Sequence, residues 1–140
     1  MSCNSAIYTA NTSEEALLAG AQIPFGSTIR RFGRFANVNG SDIVIGNCCS
    51  DEGCGYYDCD CSVTLEPTEA GNVSAQLYLN GQPYVGAFAT GTAAAAGDPV
   101  TLSFGAIVRL FGCCRQGTLQ VRLGAEGATV TNMAFKVVKL

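Results

Sequence analysis

The residues with the greatest chemical reach in this chain are cysteines. Eight occur in 140 residues, five of them in "CCSDEGCGYYDCDC" from Cys48 to Cys61, and the chain has no histidine. Such a set could hold a metal, form disulfides, or act as a redox centre. Structural zinc sites draw on Cys-x-x-Cys knuckles, often with histidine. The spacings here are the adjacent pairs Cys48-Cys49 and Cys113-Cys114, a gap of five to Cys54, and an i, i+2 pair at Cys59 and Cys61. None is a knuckle, so the sequence predicts no metal and no cofactor.

Other chemistries are equally thin. Without histidine, neither a Ser/His/Asp nor a Cys/His arrangement is available. Asp58 and Asp60 share one strand face and could pair as acid and base, but two exposed aspartates more simply make that face soluble. With Asp51 and Glu52 they form an acidic cluster that lacks the EF-hand pattern for calcium. In "RRFGRF", Arg30, Arg31 and Arg34 alternate with Phe32 and Phe35, as in binders of single-stranded nucleic acid. A pI of about 4.7 and three isolated arginines leave a weak footprint for that role. The better reading puts the phenylalanines inside and the arginines at a subunit or scaffold contact, with no nucleic acid. No Gly-rich phosphate loop is present. The sequence predicts no enzymatic activity.

The elements that must position these residues are strands. In "YYDCDCSVTL", Tyr57, Cys59, Cys61, Val63 and Leu65 share one face while Asp58, Asp60, Ser62 and Thr64 share the other. Cys59 and Cys61 are therefore expected as buried core thiols, small hydrophobes among Tyr57 and Val63. Val73, Ala75, Leu77 and Leu79 alternate in the next run, which ends at the hairpin signal Asn80-Gly81. "PVTLSF" and "TLQVRLG" continue the pattern. The terminal "NMAFKVVKL" is apolar on nearly both faces and suits a central strand covered on both sides. Only "SEEALLAG" reads as helical, with Ser13 as its cap. Many short strands at regular spacing argue an antiparallel sandwich or jelly roll.

A length of 140 residues, 48% hydrophobic and 14% charged, suits one compact domain. No run approaches a membrane span, and "MSCNSAIYTANTSEEALLAG" has no basic region followed by an apolar one, so synthesis in a reducing cytosol without membrane attachment is expected. From Phe35 to Val108 there are eight acids and no Lys or Arg, whereas Arg109 to Leu140 holds five bases and one acid. Chance in a low-charge chain, or complementary surfaces between copies, would each produce this.

The succession Gly55-Tyr56-Tyr57 opening an alternating strand, then "VSAQLYLNGQPYVGA", "AAGDPVTL" and a short apolar final strand resembles the small jelly-roll domains of the tumour necrosis factor-like type. It is most similar to short standalone proteins of spore-forming gut bacteria and their prophages, and more distantly to tip domains of collagen-like spore-surface proteins. The resemblance implies a two-sheet jelly roll, a homotrimer, and a structural or adhesive role. The Gly-X-Y stalk of the collagen-like relatives is missing. Residues 1–22 are then expected as an N-terminal arm and 23–140 as the jelly-roll domain. The arm would dock through Cys3, Ile7 and Tyr8, and trimer contacts would come from Met133, Phe135, Val137 and Leu140.

The cysteines outside the core (Cys48, Cys49, Cys54, Cys113 and Cys114) fall in Gly-rich turns. They could cross-link loops or subunits, also with Cys3, or remain free; neighbours in sequence rarely bond each other because the geometry strains the joining peptide. The leading expectation is a trimeric phage head-decoration or short head-fibre protein on the virion surface, with a capsid or other scaffold protein as partner. The alternatives are a disulfide-linked spore-surface or appendage subunit, and a module that binds surface glycans through Tyr8, Tyr56, Tyr78 and Tyr84.

Overall fold

A computed structural model describes residues 5–46, 54–110 and 116–140. Eleven strands run through them: β1 (Ala6–Asn11), β2 (Glu15–Leu17), β3 (Ser27–Phe32), β4 (Ala36–Asn39), β5 (Asp42–Gly46), β6 (Gly55–Pro67), β7 (Gly71–Leu79), β8 (Gln82–Ala93), β9 (Val100–Leu110), β10 (Gln116–Leu123) and β11 (Ala128–Lys139). They form two antiparallel sheets. One has the order β3-β1-β11-β6-β9, with β2 also paired to β11; the other has the order β4-β5-β10-β7-β8. Strands distant in sequence thus lie side by side, the mark of a jelly roll rather than a meander.

Alternation explains the strands and the core together. In β6, Tyr57, Cys59, Cys61, Val63 and Leu65 are all buried. The partners β9 and β11 send Leu102, Val108, Met133, Phe135 and Val137 into the same layer. From the facing sheet come Ile43, Ile45, Leu77, Leu119 and Val121, all fully buried. Phe25 meets Phe135 edge-on, with ring centroids 4.8 Å apart, a favoured aromatic geometry. The β7–β8 hairpin turns on Asn80 and Gly81, both left-handed (φ 52° and 82°), as a two-residue primed turn requires. The Asn80 side chain then accepts the Thr118 N–H at 2.9 Å, tying the turn to β10.

Three sequence expectations change here. "SEEALLAG" is not helical: Glu15–Leu17 pairs with Ala128–Val130, and no helix occurs among the described residues. The described part of the expected arm of residues 1–22 is not separate from the domain, because β1 lies between β3 and β11, with Ile7 opposite Val137 and almost fully buried. Finally, β11 is central in its sheet but covered on one face only. Ala134 and Val138 point outward and stay partly accessible, and Lys136 is exposed.

Candidate functional site

The thiols come first. Cys59 and Cys61 point between the sheets, 1% and 4% exposed. Burial pushes both thiols up to about 12, and Asp58 and Asp60 add to the shift at Cys59. The Cys61 thiol lies 3.8 Å from the Met133 sulfur. A thiol held so strongly protonated is a poor nucleophile and metal ligand. Cys54 lies just before β6, partly buried. Cys3, Cys48, Cys49, Cys113 and Cys114 lie outside the described residues. Among the described residues, no cluster of three or more Cys, Asp or Glu could hold a metal ion.

The outward face of the β3-β1-β11-β6-β9 sheet is the more informative surface. The register places its residues in rows that cross the strands. One row runs Phe32, Ala6, Val138, Asp58, Ile107; the next runs Arg30, Tyr8, Lys136, Asp60, Gly105. Beyond the first row, Leu140 reaches Tyr56 through a 2.8 Å backbone hydrogen bond, and Tyr56 lies opposite Arg109. Five of the nine large hydrophobics exposed among the described residues share this face: Tyr8 (41%), Phe32 (59%), Tyr56 (50%), Ile107 (54%) and Leu140 (65%). The far end is polar and small, with Ser62, Ser103 and the Thr64–Thr101 hydroxyl pair at 3.1 Å.

Within the second row, Lys136 Nζ sits 3.2 Å from Asp60 Oδ2, both side chains about half exposed. Gly105 makes this possible: a Cβ there would stand 2.8 Å from Asp60 Oδ1. Because Gly105, Ser62, Ser103 and Ala134 are small, a groove of about 590 Å³ opens beside Tyr8 and Lys136. The groove is lined by a carboxylate, an ammonium and hydroxyls.

The residues expected for assembly divide. Tyr8 and Leu140 are exposed on this face. Ile7, Met133, Phe135 and Val137 belong to the core between the sheets and cannot meet a neighbour, because strand alternation turns them inward. Phe35 is buried, but Phe32 is not. The sequence reading expected Phe32 inside, took Asp58 as part of a solubilising strand face, and passed over Ile107. For Ile107 the signal was phase, since it is out of step with the inward Leu102 and Val108 of its own strand.

Part of the opposite sheet's outer face is a polar ladder, beside which Phe88, in the row of Gln76 and Arg122, is exposed. The Gln22 and Gln120 amides both donate to Asp42 Oδ1 at 2.9 Å, Arg122 donates to Gln120 Oε1 at 2.6 Å, and its guanidinium lies 4.6 Å over the Tyr78 ring. Each member of the ladder is engaged within the chain.

No family model and no curated protein matches the sequence. Solved structures do. Murine APRIL superposes with a TM-score of 0.71 at 11% identity, covering 98% of this chain and 99% of that one. Eiger TNF from S. frugiperda gives 0.72 at 12%, covering 97% and 91%. The fold is a tumour necrosis factor-like jelly roll. PRD1 vertex protein P5 shares this jelly roll with a TM-score of 0.62 at 15% identity, covering 97% of this chain and 96% of that one.

Proposed function

We propose that this jelly roll is a non-catalytic surface module that self-associates as a homotrimer through the outward face of the β3-β1-β11-β6-β9 sheet and coats a larger particle, a phage capsid. The observation that carries the reading is the gathering of Tyr8, Phe32, Tyr56, Ile107 and Leu140 on one otherwise uncovered face. Large apolar side chains concentrated in one patch mark an interaction surface. Five strands about 4.8 Å apart, each presenting roughly eight residues at about 3.3 Å, span on the order of 600 Å². That is close to the ~800 Å² each partner contributes to a stable interface.

The tumour necrosis factor-like resemblance supports the trimeric state, and the likeness to a protein named as a vertex protein supports the particle. Attachment to the particle then uses surfaces away from this face, since Ile7 is committed to the core. The capsid or scaffold protein is the proposed partner and the particle surface the proposed location.

Light scattering after size exclusion tests the assembly: wild type should run at three times the chain mass, and Ile107→Asp should dissociate it without unfolding. A wild-type monomer at tens of micromolar would refute the trimer. Purified particles that lack the protein would refute the coat.

A further inference from the structure

On the outward face of the β4-β5-β10-β7-β8 sheet, the row Arg122, Gln76, Phe88 crosses β10, β7 and β8. Arg122 is held twice: Nε and Nη2 donate to Gln120 Oε1 at 3.2 and 2.6 Å, and the guanidinium lies over the Tyr78 ring. Among the described residues no carboxylate pairs with it and Nη1 makes no hydrogen bond, since Asp42 is met by the Gln22 and Gln120 amides instead. Gln76 is held as well. The β7–β8 register shifts between Gln76 and Tyr78, and Gln76 fills that bulge, its Nε2 lying 3.0, 2.7 and 3.1 Å from the carbonyls of Leu77, Tyr84 and Ala87. Its Oε1 accepts no hydrogen bond among the described residues. Beside the row, a Cβ on Gly124 would collide with the Ser74 hydroxyl, so that hydroxyl lies along an open strip next to Arg122, also without a partner among the described residues. Phe88 ends the row with its ring half exposed.

A pre-positioned cation, a hydroxyl and an amide oxygen, all with hydrogen-bonding capacity left, thus stand beside one open aromatic ring. Val85 and Phe88 are the only large hydrophobics exposed on the strands of this sheet among the described residues, too little apolar area for the core of a protein interface. A ligand that exchanges many hydrogen bonds and stacks one apolar face matches the row better, and a sugar has that chemistry. We propose that this row binds a saccharide carrying a carboxylate, a sialic or uronic acid residue linked to a second sugar. Arg122 receives the carboxylate through the N–H groups that Gln120 leaves open, in a charge-assisted hydrogen bond. Gln76 Oε1 and Ser74 Oγ exchange hydrogen bonds with ring hydroxyls. The second sugar lays its C–H face on Phe88, whose ring face is electron-rich. Arg122 and Phe88 stand two strand spacings apart, about 10 Å, a span that two linked sugar rings cover. Of the tyrosines expected to bind glycans, Tyr8 and Tyr56 lie on the other sheet and Tyr84 donates its hydroxyl to the Ile107 carbonyl at 2.6 Å. Tyr78 belongs to the site, but as the support of Arg122. The site lies within one chain and on the sheet opposite the assembly face, so it does not depend on self-association.

The test titrates the full chain with sialyllactose, a hyaluronan tetrasaccharide, neutral lactose and a tetraglutamate peptide, read by NMR at the Arg122 Nε–H and the Phe88 ring. At least one of the two carboxylated sugars should shift both signals and saturate below about 10 mM. Lactose should bind about tenfold more weakly or not at all, because it leaves the guanidinium without its anion. Arg122→Gln and Phe88→Ala should each weaken binding of the carboxylated sugar by about tenfold or more. Phe88→Ala removes an exposed ring and leaves the core intact, so it decides the matter should Arg122→Gln disturb the fold. Failure of both carboxylated sugars to bind, lactose binding equally well, or variants that bind like wild type would overturn the proposal. Tetraglutamate binding as tightly as the sugars would overturn it too and assign the row to acidic peptides. Ile107→Asp should bind the sugar as wild type does, whatever its effect on assembly; a loss of binding there would refute a site contained in one chain.

Discussion

At pH 8, Cys59 and Cys61 should resist alkylation in the native protein and accept it readily once the chain is unfolded. Alkylation proceeds through the thiolate. A thiol of pKa 9.0 is ionised to about 9% at that pH, whereas one raised to about 12 is ionised to about 0.01%, roughly a thousandfold less. Exclusion of the reagent from between the sheets slows the reaction further. Mass spectrometry of peptides after timed labelling with N-ethylmaleimide, with and without urea, reads both sites directly. The same placement sets the cost of substitution. Cys59→Val exchanges one small apolar group for another and should change stability by less than about 1.5 kcal/mol. Cys59→Asp would bury a carboxylate between Asp58 and Asp60 and should cost about 3–5 kcal/mol. Native labelling at the denatured rate, together with a well-tolerated Cys59→Asp, would mean that the strand runs in the opposite phase.

Three further outcomes are expected. Burial also raises Tyr57 from 10.0 to about 12, so the folded chain holds three protons that the unfolded chain releases sooner. Their stabilising effect is intact below about pH 9 and is lost as the pH rises toward 12, at up to about 1.4 kcal/mol per pH unit for each group; a urea midpoint no lower at pH 10.5 than at pH 8 would contradict this. Ile7→Ala should destabilise the fold by about 2–5 kcal/mol in chemical denaturation, whereas a residue on a detached arm would show no loss. Gly105→Ala should displace the Asp60 carboxylate from Lys136, yet cost less than about 1 kcal/mol because the pair is half exposed; a fall of several kcal/mol in the unfolding free energy would show that the backbone itself must move.

Strand phase was legible wherever polarity and direction agree. Tyr57 to Leu65, Val73 to Leu77 and Leu119 to Leu123 alternate in sequence and alternate in burial. It failed where the two part company. In β1 the polar Thr9 is fully buried, its hydroxyl turned to the Phe135 carbonyl at 3.5 Å, while Tyr8 faces out. At the end of β11, Lys139 turns inward at 9% exposure and Leu140 outward at 65%. Polarity there points the wrong way, and Met133, Phe135 and Val137 read as contact residues because their strand is apolar on nearly both faces. β2 could not be read locally at all, since three residues become a strand only by pairing with β11. The proposed assembly face was hidden for a related reason: Phe32, Asp58 and Ile107 fall in one row only through the order of the strands.

The seat of β1 beside β11 also constrains how the chain is made. Thr9 and Phe135 touch although 126 positions separate them, and β11 fills the space between β1 and β6. On the ribosome β1 emerges well before its neighbour β11 and waits for it while the intervening strands are made. During that wait β1 and β6 both present open hydrogen-bonding edges and apolar inward faces, the condition under which nascent chains stick to one another. Pairings this distant also close slowly, in the millisecond-to-second regime of high contact order. Folding of the domain is therefore completed only once β11 has emerged, and crowded synthesis of many copies favours either a holding chaperone or early mispairing between chains.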